Sequence, residues 1–164
     1  MSGNEGFDRV AGGVDYPMYV VTAVGADGTR AGCLVGFATQ CSIDPPRFLV
    51  CLSEANHTYR VAQEASVLAV HLLRREDEAL AALFGAETGD EVDKFGRCSW
   101  STGPEGVPVL DDVVAWFVGR VVERVDLGDH VGHVLEPLPD AGTGRAGAYY
   151  TFRQGRRLEP GHPA

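Results

Sequence analysis

The chain has 164 residues, 45% of them hydrophobic, and a formal net charge of −9; that length suits one domain with a substantial core. The acidic balance argues against a nucleic-acid partner, because the basic residues are scattered and cluster only from Arg153 to Arg157. No apolar run reaches the length of a membrane span, and the opening MSGNEGFDRV lacks the basic-then-apolar order of an export signal, so a cytoplasmic protein with reduced thiols and no membrane partner is expected.

Residues 1–15 form a polar lead-in with room for a short helix. Met18 to Val24 is rich in β-formers, Ala26-Asp27-Gly28 supplies a hairpin turn, and Thr29 to Phe37 returns as a second strand. Arg47 to Leu52 is a third strand, and its unbroken apolar character predicts burial on both faces. Asn56 to Glu64 reads as a short helix, Val67 to Leu73 as a strand, and Glu76 to Phe84 as a helix with Leu80, Leu83 and Phe84 as its apolar stripe. Ala86 to Pro108, Gly-rich and acidic, is expected to be a long loop. Val113 to Val125 and His130 to Leu135 are strands about a Gly128-Asp129 turn, and Tyr149 to Phe152 makes a last short strand before a polar tail, 153–164. Hairpins imply antiparallel pairing, which favours a barrel over a doubly wound sheet. No GxGxxG follows a strand, which disfavours a Rossmann fold. Cys33, Cys41, Cys51 and Cys98 have no zinc-type spacing, so no metal site is expected. His71, in an apolar run, is expected to be a hydrogen-bonded core histidine, and Trp100 and Trp116 to be core or interface residues.

Two polar clusters close strands that are neighbours along the chain. Ala38-Thr39-Gln40-Cys41-Ser42 precedes Ile43-Asp44-Pro45-Pro46, where proline stiffens the backbone and restricts the residue before it. The plain reading is a rigid connector whose hydroxyls satisfy their own turn; the functional one is a set of fixed donors and acceptors along the edge of a planar heteroaromatic ring. Ser53-Glu54-Ala55-Asn56-His57-Thr58 contains an N-cap, Asn56. Capping alone accounts for it, whereas a ligand phosphate would also find donors there. Together the clusters suggest one pocket.

At this point the chain resembles a known family. GCLVGFATQCSIDPP, RFLVCL, NHTYRVAQEASVLAVHLL, VDKF, PVL and VDLGDHVGHV stand in the order used by the flavin reductase-like, FMN-binding split-barrel family. The resemblance runs from about Tyr16 to Phe152, which gives a domain over 16–152. It implies a mainly β fold, a six-stranded antiparallel split β-barrel of Greek-key type with short helices. It also implies a homodimer with flavin near the interface, hydride transfer from NADH or NADPH to flavin N5, and, commonly, delivery of reduced flavin to a partner monooxygenase. Carried onto matching positions, it places Thr39, Gln40, Cys41 and Ser42 along the isoalloxazine ring, and Ser53, Asn56, His57 and Thr58 at ribityl and phosphate. Lys94 and Phe95 occupy a basic-aromatic position near the flavin, where Lys94 would contact phosphate. Gly36-Phe37 replaces the small polar pair usual in the family, and Gln40 stands where Ser is common. The choice among FMN, FAD and a deazaflavin is therefore open.

In Gly128-Asp129-His130, residues three apart on a strand face opposite ways, so only one of His130 and His133 can reach a flavin. The resemblance selects His130 as the catalytic histidine, with Asp129 to orient it; a plain surface turn is the alternative. Its role is expected to be modest, because the cofactor carries the hydride chemistry. Glu87 to Asp93 reads as a solvated acidic loop, or as a lid with Gly85 and Gly89 permitting movement. Besides an NAD(P)H-dependent flavin reductase, a flavin carrier or sensor without efficient nicotinamide turnover fits the sequence. Oxidation of a phosphorylated amine fits less well, because no basic set for a substrate phosphate is evident.

Overall fold

Apolar alternation builds the sheet, in a computed structural model that describes residues 3–145 and 147–161. In β1 (Tyr19–Val24), Val21 and Ala23 enter one cluster with Cys33 and Val35 of β2 (Arg30–Val35), whereas Val20 enters a second cluster with Leu73, Phe84 and Tyr150. A strand so buried on both faces must be central or covered. β5 (Val67–Leu72) is the other such strand: Leu68 and Val70 point into the first cluster, Val67 and Ala69 into a third. Each fully buried aliphatic side chain contributes about 1.5–3 kcal/mol of transfer free energy.

The remaining strands are β3 (Ala38–Ser42), β4 (Arg47–Ser53), β6 (Trp100–Thr102), β7 (Pro108–Leu110), β8 (Ala115–Asp126) and β9 (His130–Gly144). The helices are α1 (Glu5–Gly13), α2 (His57–Ala62), α3 (Glu78–Gly85) and α4 (Phe152–Gly155). Seven strands form one antiparallel sheet in the order β2-β1-β5-β8-β9-β4-β3, and β6 and β7 pair separately.

β2 and β3 stand at opposite ends of that order, yet only Gly36 and Phe37 separate them. So short a link reaches about 10 Å at most, which forces the two ends of the sheet together and rolls it into a barrel. The Phe37 carbonyl accepts the Cys51 N–H at 2.9 Å, fixing the link to β4. No ladder joins β2 to β4, and this unzipped seam is the split in the barrel.

The mainly β, antiparallel class agrees with expectation, with particular corrections. The main sheet has seven strands rather than six, because Ala38–Ser42, expected as a loop, pairs with β4 from Ala38↔Val50 to Ser42↔Arg47. Its side chains are largely exposed, so it carries no apolar alternation to reveal it. β4 is buried on one face, not both: Val50 and Leu52 point inward while Leu49 and Cys51 stay partly exposed. The stretch 86–108 contains β6, the start of β7 and two short 3-10 turns. Tyr149 to Phe152 forms only isolated bridges, Arg74↔Tyr149 and Pro17↔Thr151, before α4 begins. α1 has no buried residue. No helix among the described residues is long and apolar enough to cross a membrane.

His71 is a core histidine, as expected. The Leu110 N–H donates to its Nε2 at 3.0 Å, which leaves Nδ1 to carry the proton and donate to the Val20 carbonyl at 2.9 Å. It thereby ties β5 to β7 and to β1, and burial lowers its pKa to about 4. Trp100 and Trp116 are partly buried against the second cluster, with Trp100 Nε1 donating to the Phe95 carbonyl at 3.1 Å.

Candidate functional site

The barrel seam opens as a cleft of about 250 Å³. Tyr16, Met18, Leu34, Phe37 and Phe152 line it with apolar surface, and Ser53, Asn56 and His130 supply polar groups. Two of the aromatic walls come from opposite ends of the chain: Tyr16 and Phe152 stack with centroids 4.8 Å apart and planes 16° apart. A second cleft, of about 380 Å³, is lined by residues 29–32, His57, residues 89–93, Lys94 and Phe95. The two clefts draw on neighbouring stretches of chain: Gly32 and His57 line one, Cys33 and Asn56 the other. An apolar slot with a few polar groups and a second, more polar recess suit a flat ring with a polar edge and tail.

His130 is placed by register. It pairs with Ser53 across β4 and β9, and the Glu54 N–H donates to the Asp129 carbonyl at 3.1 Å, locking the turn against β4. The Asp129 carboxylate accepts from His130 Nδ1 at 2.7 Å. That bond holds the carboxyl of Asp129 below the usual carboxylate range and leaves Nε2 as an acceptor when the ring is neutral. The Phe37 ring stands 5.2 Å from the imidazole. His133, by contrast, is fully buried beside Tyr59, and its Nδ1 donates to the Val131 carbonyl at 3.1 Å.

The second polar cluster is divided between the clefts. Asn56 Oδ1 accepts the Thr58 N–H at 2.8 Å and caps α2, a helix of only six residues. Thr58 is buried behind it. His57 faces the second cleft, where its Nδ1 meets Asp90 Oδ1 at 3.0 Å, and Arg60 grips both Asp90 oxygens at 2.8 and 2.6 Å. Gly89 lies against the imidazole so closely that a Cβ would stand 2.6 Å from His57 Cδ2. Its lack of a side chain thus permits close contact with α2.

Lys94 and Phe95 border this cleft from below. The Lys94 ammonium is buried and donates to the Gly32 and Phe84 carbonyls at 3.0 and 3.2 Å, and burial pulls its pKa below the ordinary lysine value. Phe95 packs edge-on against Phe84 and Trp100. Thr39, Gln40, Cys41 and Ser42 lie on β3, outside the two clefts; Gln40, Cys41 and Ser42 border a separate shallow depression at the hairpin tip with Ile43 and Asp44. The structure therefore gathers Ser53, Asn56 and His130 at one cleft and His57, Lys94 and Phe95 at the next. The apolar walls and the Arg60–Asp90 tie lie outside the sequence expectations. Of these, only Phe37 carried a sequence signal, as a bulky residue in a normally small polar position.

Residues 11–147 match the model of the flavin reductase-like domain. The chain belongs to the flavin reductase-like family. It is 36% identical over 111 residues to an FMN reductase (NADH), RutF, of Agrobacterium fabrum, covering 68% of this chain and 63% of that protein. It is 29% identical over 150 residues to a ferric-chelate reductase (NAD(P)H) of Archaeoglobus fulgidus, covering 87% and 88%. Among solved structures, an NADH:FAD oxidoreductase of Streptomyces globisporus superposes with a TM-score of 0.81 at 26% identity, covering 94% of this chain and 90% of that one. The chain spans about a third to two thirds of the length of the first curated relatives it matches, 35%, 63% and 61%.

Proposed function

We propose that this chain is an NAD(P)H-dependent flavin reductase that takes FMN, with NADH as the donor, through a catalytic domain over residues 16–152. The observation that carries the reading is the pair of clefts, an apolar one at the barrel seam that includes Ser53, Asn56 and His130, and a more polar one that includes His57 and Lys94. The names of the relatives, FMN reductase (NADH) and NADH:FAD oxidoreductase, support the choice of donor and leave FAD as the competing flavin. A bound flavin supplies the hydride acceptor. The protein's own residues then have three tasks. Tyr16, Phe37 and Phe152 exclude water and present flat apolar surface; Ser53 and Asn56 fix the ring's orientation; Lys94 brings positive charge, and His57 an N–H donor, to the side of the anionic tail. His130, steered by Asp129, positions the nicotinamide or holds a proton at Nε2.

Thr39, Gln40, Cys41 and Ser42 enter this reading through a second copy of the chain. They form an exposed sheet edge next to Ile43, which is 84% exposed, and Phe37, 57% exposed. An open, partly apolar edge of this kind favours coverage by a partner. We propose a cytoplasmic homodimer that closes the site from that side and passes reduced flavin to a monooxygenase. The test is a panel of NADH and NADPH against FMN, FAD and riboflavin, read as nicotinamide oxidation. Turnover with any flavin supports the reductase; flavin binding with no turnover in the whole panel replaces it with a carrier.

A further inference from the structure

The tie beside the second cleft, in which Asp90 and His57 line the cleft and Arg60 stands outside its lining, has the composition of an occupied anion site. Arg60 donates two hydrogen bonds, at 2.8 and 2.6 Å, to the carboxylate of Asp90, and His57 Nδ1 a third at 3.0 Å. Arg60 and His57 are three residues apart on α2 and so share a face, whereas Asp90 comes from the segment 86–93, thirty residues further along. One guanidinium nitrogen, Nη2, reaching both oxygens and an imidazole N–H reaching one of them are donors that a phosphate monoester also takes. The Arg60 and Asp90 side chains are 50% and 53% exposed; an ion pair so open to solvent contributes little to stability and is easily exchanged. Beside it, residues 89–93 form one wall of the cleft.

We propose that Asp90 is a built-in substitute for the ligand's phosphate: its carboxylate fills the place between Arg60 and His57 that the phosphate of a flavin mononucleotide takes, and the 86–93 segment leaves α2 when that phosphate enters. The proposal rests on the flavin reading above. It makes Asp90 and Arg60 the residues that set discrimination between phosphorylated and unphosphorylated flavins. A carboxylate competing for Arg60 lowers the affinity for FMN and leaves that for riboflavin untouched.

The test is an equilibrium titration of the full chain with FMN and with riboflavin, in the dark and without nicotinamide, followed by flavin fluorescence. Wild type, Asp90→Asn, Arg60→Gln and the double variant are compared. Asp90→Asn is expected to tighten FMN about fivefold, the scale of one exposed ion pair, with riboflavin unchanged. Arg60→Gln weakens FMN, and in its background the gain from Asp90→Asn shrinks, because only the His57 N–H remains to compete for. A gain of equal size with and without Arg60, which would reflect net charge alone, overturns the proposal, as does an equal change for both flavins. If riboflavin binds and FMN affinity ignores Asp90, only this inference falls. If no variant binds either flavin, the flavin reading falls with it.

Discussion

Acidification is expected to destabilise this barrel through His71 before the carboxylates are protonated. In the native state Nε2 accepts the Leu110 N–H, so a second proton has nowhere to go without setting two donors against each other in an apolar core. The folded pKa of about 4 lies well below the ordinary 6.5. Between those values the unfolded chain binds the proton and the folded chain does not, so stability falls as pH falls. Above 6.5 both states are neutral and the contribution is fully present. The whole difference, at about 1.4 kcal/mol per pH unit, amounts to about 3 kcal/mol at pH 4, a large share of a typical domain stability of about 5–15 kcal/mol. His133, whose pKa burial also lowers, acts in the same direction. The assay is urea unfolding followed by tryptophan fluorescence at steps between pH 7 and 4.5, for wild type and His71→Phe. At pH 7 the variant loses about 1–3 kcal/mol for each backbone partner left unsatisfied, but its stability declines less steeply below pH 6.5 by about 2–3 kcal/mol over the range. Parallel profiles for the two proteins would refute the argument.

Three further outcomes follow from residues at and beneath the site. His130→Ala should lower kcat/KM for the nicotinamide about tenfold, the scale of lost orientation, with flavin affinity retained in a direct titration; complete loss of hydride transfer with flavin still bound contradicts this. Asn56→Ala removes the cap of α2 and should cost about 1 kcal/mol in chemical denaturation, whereas Asn56→Ser should recover most of it. Leu68→Ala, at a fully buried position in the barrel interior, should cost about 3 kcal/mol in the same experiment; a cost below about 1 kcal/mol would mean that the interior collapses around the missing side chain.

Sequence patterning revealed those elements whose burial or local chemistry is marked. The β-forming run of β1, the Asp27-Gly28 turn and the Asn56 cap could all be read because each depends on neighbours along the chain. β3 could not, since a polar, exposed edge strand looks like a loop until its partner is known. β6 and β7 are three residues each and give no period. The first cleft depends on the bridge Pro17↔Thr151, and the second on a tie between Arg60 and Asp90; neither contact leaves a local trace. His130 is selected by the ordered motifs of the family alone; its pairing with Ser53 across β4 and β9 is a long-range contact that no local pattern marks.

The stacking of Tyr16 on Phe152 has a consequence for the order of synthesis. The first half of this aromatic wall leaves the ribosome well over a hundred residues before the second. A nascent chain can therefore pair β1 with β2 early, yet it cannot enclose a ring until residue 152 has emerged. On the proposed flavin reading, capture of the cofactor is one of the last events in maturation, and a polypeptide stalled upstream of that residue would hold a partly rolled barrel with one aromatic wall missing.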